Sequence, residues 1–427
     1  MPIVIVGMLD EREPVIKLIK EQIEKRKYRT ILIDVSIGTG AIIPSLKADI
    51  TGTDLLKLTD STIEDIKKIP IQHRETVTSL IAKGLTKKVI ELYAKGDLEG
   101  IIAIGGMTGS IISLTAMKEL PFGVPKILIS STAAMPSNAK LFAEFFSQCD
   151  IMVINSVVDT VGLNLFVKKL AINGANAIWG MVEGFESKLE KKRPMIAITE
   201  FGFCEKGAFY LRRLLEKDYE IISFHATGIG DQAAAKMVRE GVFEAFIDLV
   251  PASYSEYLLG GNRSSGPNRL DIALNLEIPY ILSPCGFDMI SCGPIERKDR
   301  KDFVWETRKL SKRKIFVQDV IRVQARTTIE EMKLIARAVA ERLNRYPNKR
   351  LVKFIIPKKG FSSLSTPGGV LYDPDADQAF TMTLHQFLDP EIQIIEVDAD
   401  VNHPEFAMTV AKTLRDCLNY RSLDSLG

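Results

Sequence analysis

The stretch IIAIGGMTGSIISLTAM, residues 101–117, decides how the chain is read. Four apolar residues run into Gly105-Gly106, and an apolar pattern with helical spacing resumes after Ser110. The segment predicts a buried strand, a glycine turn and a helix. A helix N-terminus leaves free N–H groups and carries about half a positive charge. Glycine lets a backbone approach an anion closely, and hydroxyls at Thr108 and Ser110 add donors. The motif taken alone supports a phosphate cradle and a plain capped turn equally. GxxxxGK[ST] is absent, so it is not a Walker A loop.

Working outward, strands and helices alternate. Apolar runs at 2–8, 30–35, 100–106, 125–131 and 151–157 are separated by helical stretches. Short apolar runs of this kind predict parallel strands covered on both faces. The second half repeats the first. PMIAITEFG (194–202) matches PIVIVGMLD (2–10), EAFIDLV (244–250) matches EGIIAIG (99–105), and IPYILSPCGFD (278–288) matches VPKILISSTAA (124–134). LVKFIIP (351–357) and QIIEVDA (393–399) extend the second sheet, and a helix follows near 404–418. The expected fold class is α/β, with two doubly wound, Rossmann-like domains of mostly parallel sheet. The first spans 1–188 and the second 194–427, joined by the charged stretch near 186–194.

The bulk numbers agree with this. A chain of 427 residues exceeds one typical core. It is 46% hydrophobic and 26% charged, with a net charge of +2, so no global field argues for nucleic acid or an anionic membrane. The densest basic stretch, RKDRKDFVWETRKLSKRK (297–314), is diluted by acids and reads as a solvated face. Five cysteines form no CxxC pair, which fits a reducing compartment. No apolar run reaches the roughly 18–20 residues that span a bilayer. A cytoplasmic protein is expected.

In doubly wound folds ligands sit beyond the carboxyl ends of the strands, at the point where strand order reverses. The first half delivers Asp10, Arg12, Asp34 with Gly38 and Gly40, the Gly105–Ser110 loop, and Asp159 to those ends. The second delivers His225 with Gly228 and Gly230, then Cys285 and Asp288. ATGIGDQAAAKMV (226–238) matches GxGxxA, and Asp248 lies 20 residues beyond Gly228. The dinucleotide fingerprint belongs after the first strand of a domain, and this loop follows the second. Cys285 as a nucleophile needs a partner that lowers its pKa, and only a fold contact with His225 supplies one. The four histidines form no HExxH. Asp398, Asp400 and His403 either ligate a metal or cap the last helix.

The motifs VGMLDE (6–11), IDVSIG (33–38), ADITGTD (48–54), IIAIGGMTGS (101–110), INSVVDTVGLN (154–164), SFHATGIGD (223–231), SPCGFDMI (283–290) and STPGGVLYDPDAD (365–377) together carry a resemblance. The chain resembles the ATP-binding N-terminal domain of the tobamovirus resistance protein family and its bacterial and archaeal relatives, over essentially its whole length. The resemblance implies two Rossmann-like domains and ATP as ligand, with Mg²⁺. It implies phosphate contacts at Gly105, Gly106, Thr108, Gly109 and Ser110, with Asp10, Arg12, Asp34, Gly38 and Gly40 lining the crevice and Asp159 reaching the magnesium. Two departures stand out. Relatives often carry Gly-Gly-Ser-Gly-Gly-Thr where this chain has Gly105-Gly106-Met107-Thr108-Gly109-Ser110. They often carry Thr-Lys where this chain has Glu11-Arg12, so a phosphate contact there passes to Arg12.

The expectation is therefore nucleotide binding by the first domain, with a second small-molecule site at the interdomain cleft near His225, Gly228, Gly230, Cys285 and Asp288, and a homodimer. One alternative is an ATP-dependent kinase or ligase acting on a small carboxylate or sugar acid. The other is a nucleotide-stabilised regulatory protein without turnover. Whether the chain is an enzyme stays open at this point.

Overall fold

The computed structural model describes residues 2–36, 42–184 and 193–424. Gly38 and Gly40 lie outside the described residues, as does most of the stretch read as a linker. The chain divides into two compact units, 1–189 and 190–427.

The first unit carries β1 (Pro2–Gly7), β2 (Arg29–Asp34), β3 (Gly100–Gly105), β4 (Lys126–Ser130) and β5 (Met152–Asn155). They form one sheet in the order β2-β1-β3-β4-β5, with every pairing parallel. Side chains alternate across a strand, so Val4 and Val6 pack on one face with Ile33 and Ile101. Ile3 and Ile5 pack on the other with Leu32, Ile102 and Ile129. Helices cover both faces, which is why the strands read as unbroken apolar runs. The strand order reverses between β1 and β3.

The second unit carries β6 (Met195–Glu200), β7 (Glu220–His225), β8 (Ala245–Asp248) and β9 (Tyr280–Leu282). After β10 (Met289–Ser291), β11 (Ile315–Val317) and β12 (Val323–Arg326) come β13 (Val352–Pro357) and β14 (Gln393–Val397). Six of these make a parallel sheet in the order β14-β13-β9-β8-β6-β7. The order β7-β6-β8-β9 repeats β2-β1-β3-β4, so the sequence repeat is a repeat of topology. Here the reversal falls between β6 and β8.

The remaining three strands form a small antiparallel sheet, β10-β12-β11. Sequence reading did not anticipate it. The basic stretch at 297–314 belongs to this insertion and is not simply a solvated face. It buries Trp305 and Leu310, and Trp305 Nε1 donates to the Cys292 carbonyl at 2.8 Å. The strands are three or four residues long, too short for a period-2 pattern to stand out between charges.

Candidate functional site

In the first unit, β1 ends in a loop that Asp34 holds from the end of β2. Asp34 Oδ1 accepts from Leu9 N at 3.1 Å, Ser36 N at 2.9 Å and Ser36 Oγ at 2.5 Å. Arg12 then lies across the reversal point. Its backbone N–H and its Nη1 donate to the two oxygens of Asp10, at 2.9 and 2.7 Å. Its Nε donates to Thr160 Oγ1 at 3.1 Å, and Nη2 lies 3.6 Å from Asp159 Oδ1. Three side chains from two loops thus fix one guanidinium, whose side chain is 16% exposed.

That guanidinium faces the glycine turn. A Cβ placed on Gly106 would lie 3.4 Å from Arg12 Nη2 and 4.0 Å from Ser131 Oγ, with nothing else within 4 Å. Gly106 is the N-cap of the helix Met107–Met117 and provides no side-chain cap. The bare helix end, a guanidinium and a hydroxyl therefore converge where Gly106 leaves space. Anions favour such a helix end. Gly105 has a different job: a Cβ there would lie 3.1 Å from Gly109 Cα, so these two glycines let strand and helix pack closely. Ser110 is fully buried, with its Oγ 2.8 Å from Ser130 Oγ. It ties the helix to β4, and only Gly106, Met107 and Thr108 of this loop are partly exposed.

A pocket of about 610 Å³ adjoins this region, lined by Asp10, Glu11, Glu13, Pro14, Ile42, Val161 and Gly162. Glu13, in its lining, accepts from Ser45 N and Leu46 N, both at 2.9 Å. The Ser45 hydroxyl bond is the main cause that keeps the Glu13 carboxyl below its usual range. The loop after β5 holds Val157 at φ 64°, a conformation that a β-branched residue rarely adopts.

The second unit differs at its own reversal point, where the turn after β9 packs over the ends of β6 and β8. Gly286 sits at φ 85°, and a Cβ there would meet Ala252 Cβ at 2.7 Å, Phe201 Cζ at 3.2 Å and Val250 Cγ1 at 3.5 Å. Side chains fill its reversal point. Cys285 is fully buried, and burial, with Cys204 next, pushes its thiol well up, which disfavours a thiolate. Asp288 is also fully buried, accepting from Gly286 N at 3.1 Å and Ser362 Oγ at 2.5 Å. His225 is exposed, with Nδ1 3.3 Å from Thr227 Oγ1. Gly228 takes φ 86°, gives its N–H to Asp231 Oδ2 at 2.8 Å, and leaves only 2.8 Å between a Cβ and the Arg263 carbonyl. Gly230 packs on the His225 backbone. These glycines close a turn against neighbouring backbone. Asp248, the acid spaced like a ribose ligand, is fully buried and tied to Arg269.

Asp398 pairs with Lys359 at 2.9 Å, Asp400 accepts from Asn402 N, and His403 Nδ1 accepts from Glu405 N. Among the described residues no group of three or more His, Cys, Asp or Glu side chains is placed to hold a metal ion. No helix among them is long and apolar enough to cross a membrane. Sequence reading did not single out Thr160 as a partner at the first site; its only signal is that polar residues follow β5.

The fold and this site define a two-unit, doubly wound α/β protein whose first reversal point is open and donor-rich and whose second is packed. The comparisons go further: residues 1–187 match the N-terminal domain, and residues 193–418 the C-terminal domain, of the uncharacterised protein family UPF0261, and the chain belongs to that family. It is 33% identical to a UPF0261 protein of Clostridium tetani, over 96% of this chain and 98% of that one. It is 30% identical to the ToMV resistance protein Tm-1(GCR237) of Solanum lycopersicum, over 77% of this chain but 43% of that protein. Among solved structures, a putative UDP-N-acetylglucosamine 2-epimerase from Listeria monocytogenes matches 66% of this chain and 78% of its own, at 10% identity and a TM-score of 0.22.

Proposed function

We propose that the first unit binds a nucleotide, ATP, by its phosphates at the turn between β3 and the helix Met107–Met117. The observation that carries this reading is the convergence of Arg12 Nη2 and Ser131 Oγ on the space beside Gly106, at a helix end with no side-chain cap. Such a donor set suits a phosphate. The strand-order reversal is where this topology takes its ligands. The resemblance to an ATP-binding family supports the choice of nucleotide.

Arg12 orients the phosphates, and Asp10 and Thr160 hold Arg12 in place. Asp159, with its side chain 64% exposed, is the carboxylate for Mg²⁺, which neutralises phosphate charge when bound and needs only one or two carboxylates besides the phosphates. In the second unit Cys285 and Asp288 are buried, so neither reaches a ligand as nucleophile or base. That supports binding over a kinase or ligase reaction at those residues.

The test is thermal shift and calorimetry with ATP, ADP, AMP and NAD⁺, with and without Mg²⁺, on the wild type and Gly106→Val. Gly106 has a negative φ of −81°, so valine is tolerated by the backbone while filling the cradle. ATP at 100 times its Kd is expected to stabilise the wild type by about 2.7 kcal/mol, and the variant should fold but lose the response. Absence of any ATP effect, or equal binding by the variant, overturns the reading.

A further inference from the structure

The second unit holds a pocket at the opposite ends of its strands. It measures about 590 Å³ and lies between the starts of β13 and β14 and the helix Pro404–Asp424. Lys353 enters it from β13, Lys412 from the helix, and Arg350 from the turn before β13. Lys353 interrupts a strand whose other five residues are all buried. A buried strand keeps a lysine only where its ammonium reaches water or an anion.

None of these three cations has an ion-pair partner among the described residues, although ion pairs are frequent elsewhere among those residues. Lys412 and Asp416 stand one helical turn apart in the same wall without pairing, which leaves the lobe at a net charge of +2. Thr409 and Thr413 donate their hydroxyls to helix carbonyls, at 2.9 and 2.8 Å, so the cations are the principal donors.

A second lobe of about 640 Å³ shares Arg350 and Tyr420 with the first. The Arg350 guanidinium lies 6.0 Å from the Tyr420 ring centre, at the junction. The second lobe is lined by Glu277, Asn348 and Glu391 among others. Carboxylates and amides accept hydrogen bonds from hydroxyls. One lobe suits a phosphate and its neighbour a polyol.

We propose that this two-lobed groove is a binding site for a small phosphorylated polyol of the sugar-phosphate class, with the phosphate held by Arg350, Lys353 and Lys412. The site is separate from the nucleotide site and does not rest on it.

Lysine acetylation footprinting read by mass spectrometry tests this, with glucose 6-phosphate, pyrophosphate and glucose as probes. It is run on the full chain carrying Arg12→Gln, so that the first unit's phosphate donor does not contribute. Glucose 6-phosphate and pyrophosphate are expected to protect Lys353 and Lys412 at least threefold, leaving Lys309 unchanged, and glucose should protect neither. Calorimetric affinity for glucose 6-phosphate should fall at least tenfold in Lys412→Gln, whose exposed position makes it safe for folding, and in Lys353→Gln. Protection by glucose alone, no protection by either phosphate, or unchanged affinity in Lys412→Gln overturns the proposal.

Discussion

Arg269 grips both oxygens of Asp248 in the core of the second unit, Nη1 to Oδ2 at 2.7 Å and Nη2 to Oδ1 at 2.8 Å. Its Nε reaches Asp231 Oδ1 at 2.7 Å and Ser253 Oγ at 3.0 Å. Asp248 also accepts from Thr199 Oγ1 at 2.6 Å and Tyr280 OH at 2.9 Å. The acid that stands at ribose-ligand distance from Gly228 in sequence is thus fully consumed inside the fold. Removing one partner of a buried pair leaves a charge uncompensated. Arg269→Met should destabilise the second unit by about 3–5 kcal/mol, read as a lower urea midpoint, without lowering ATP affinity in any fraction that stays folded.

Arg12 brings a cation to the open reversal point of the first unit, and Asp10, Thr160 and Asp159 aim it. Arg12→Gln should weaken ATP about tenfold, or about 1.4 kcal/mol, with a smaller effect on AMP. Calorimetry on both ligands checks this; equal losses for ATP and AMP would place Arg12 away from the outer phosphates.

Burial, opposed by Arg326, raises the Asp377 carboxyl to about 7, with Asp288 and Asp373 adding repulsion. Arg326 Nη2 donates to it at 2.5 Å. A carboxyl raised above its unfolded value of about 3.9 binds its proton more tightly in the folded chain. Its contribution is therefore complete below about pH 4 and lost as pH rises through about 7. Relative to wild type, Asp377→Asn should gain on the order of 3 kcal/mol between pH 4 and 7.5, measured as the difference in urea stability. A constant difference across that range would refute the assignment.

Val157 sits in the left-handed region and is 87% exposed. Relief of that backbone strain exceeds the extra chain entropy of glycine. Val157→Gly should raise stability by about 0.5–1 kcal/mol, seen as a rise in Tm.

Cys204, Cys285, Cys292 and Cys417 are buried and Cys149 is partly exposed. Burial pushes the Cys292 thiol up to about 12. Ellman's reagent should label at most one thiol rapidly in the native protein and five in denaturant. Cys285→Ser should leave the native rate unchanged.

Much of the architecture was legible because parallel strands covered on both faces leave largely continuous apolar runs, and β1, β3, β4 and β6 show them. The small antiparallel sheet was not, because its strands are short and charged residues flank them. Lys353 was the one visible irregularity in β13, and its meaning depends on a helix more than 50 residues later in the chain.

The sequence by itself determined the α/β class, the repeated strand order and the glycine turns, because these follow from local periodicity and from backbone freedom at glycine. Only the tertiary structure decided which turn is open. Gly106, after β3, and Gly286, after β9, both follow inner strands of doubly wound sheets, and neither local sequence states how much space lies beside the glycine. Arg12 and Ser131 leave room beside the first, whereas Phe201, Val250 and Ala252 close on the second. The free space at a strand end is set by side chains that arrive from elsewhere in the chain, and packing alone brings them there.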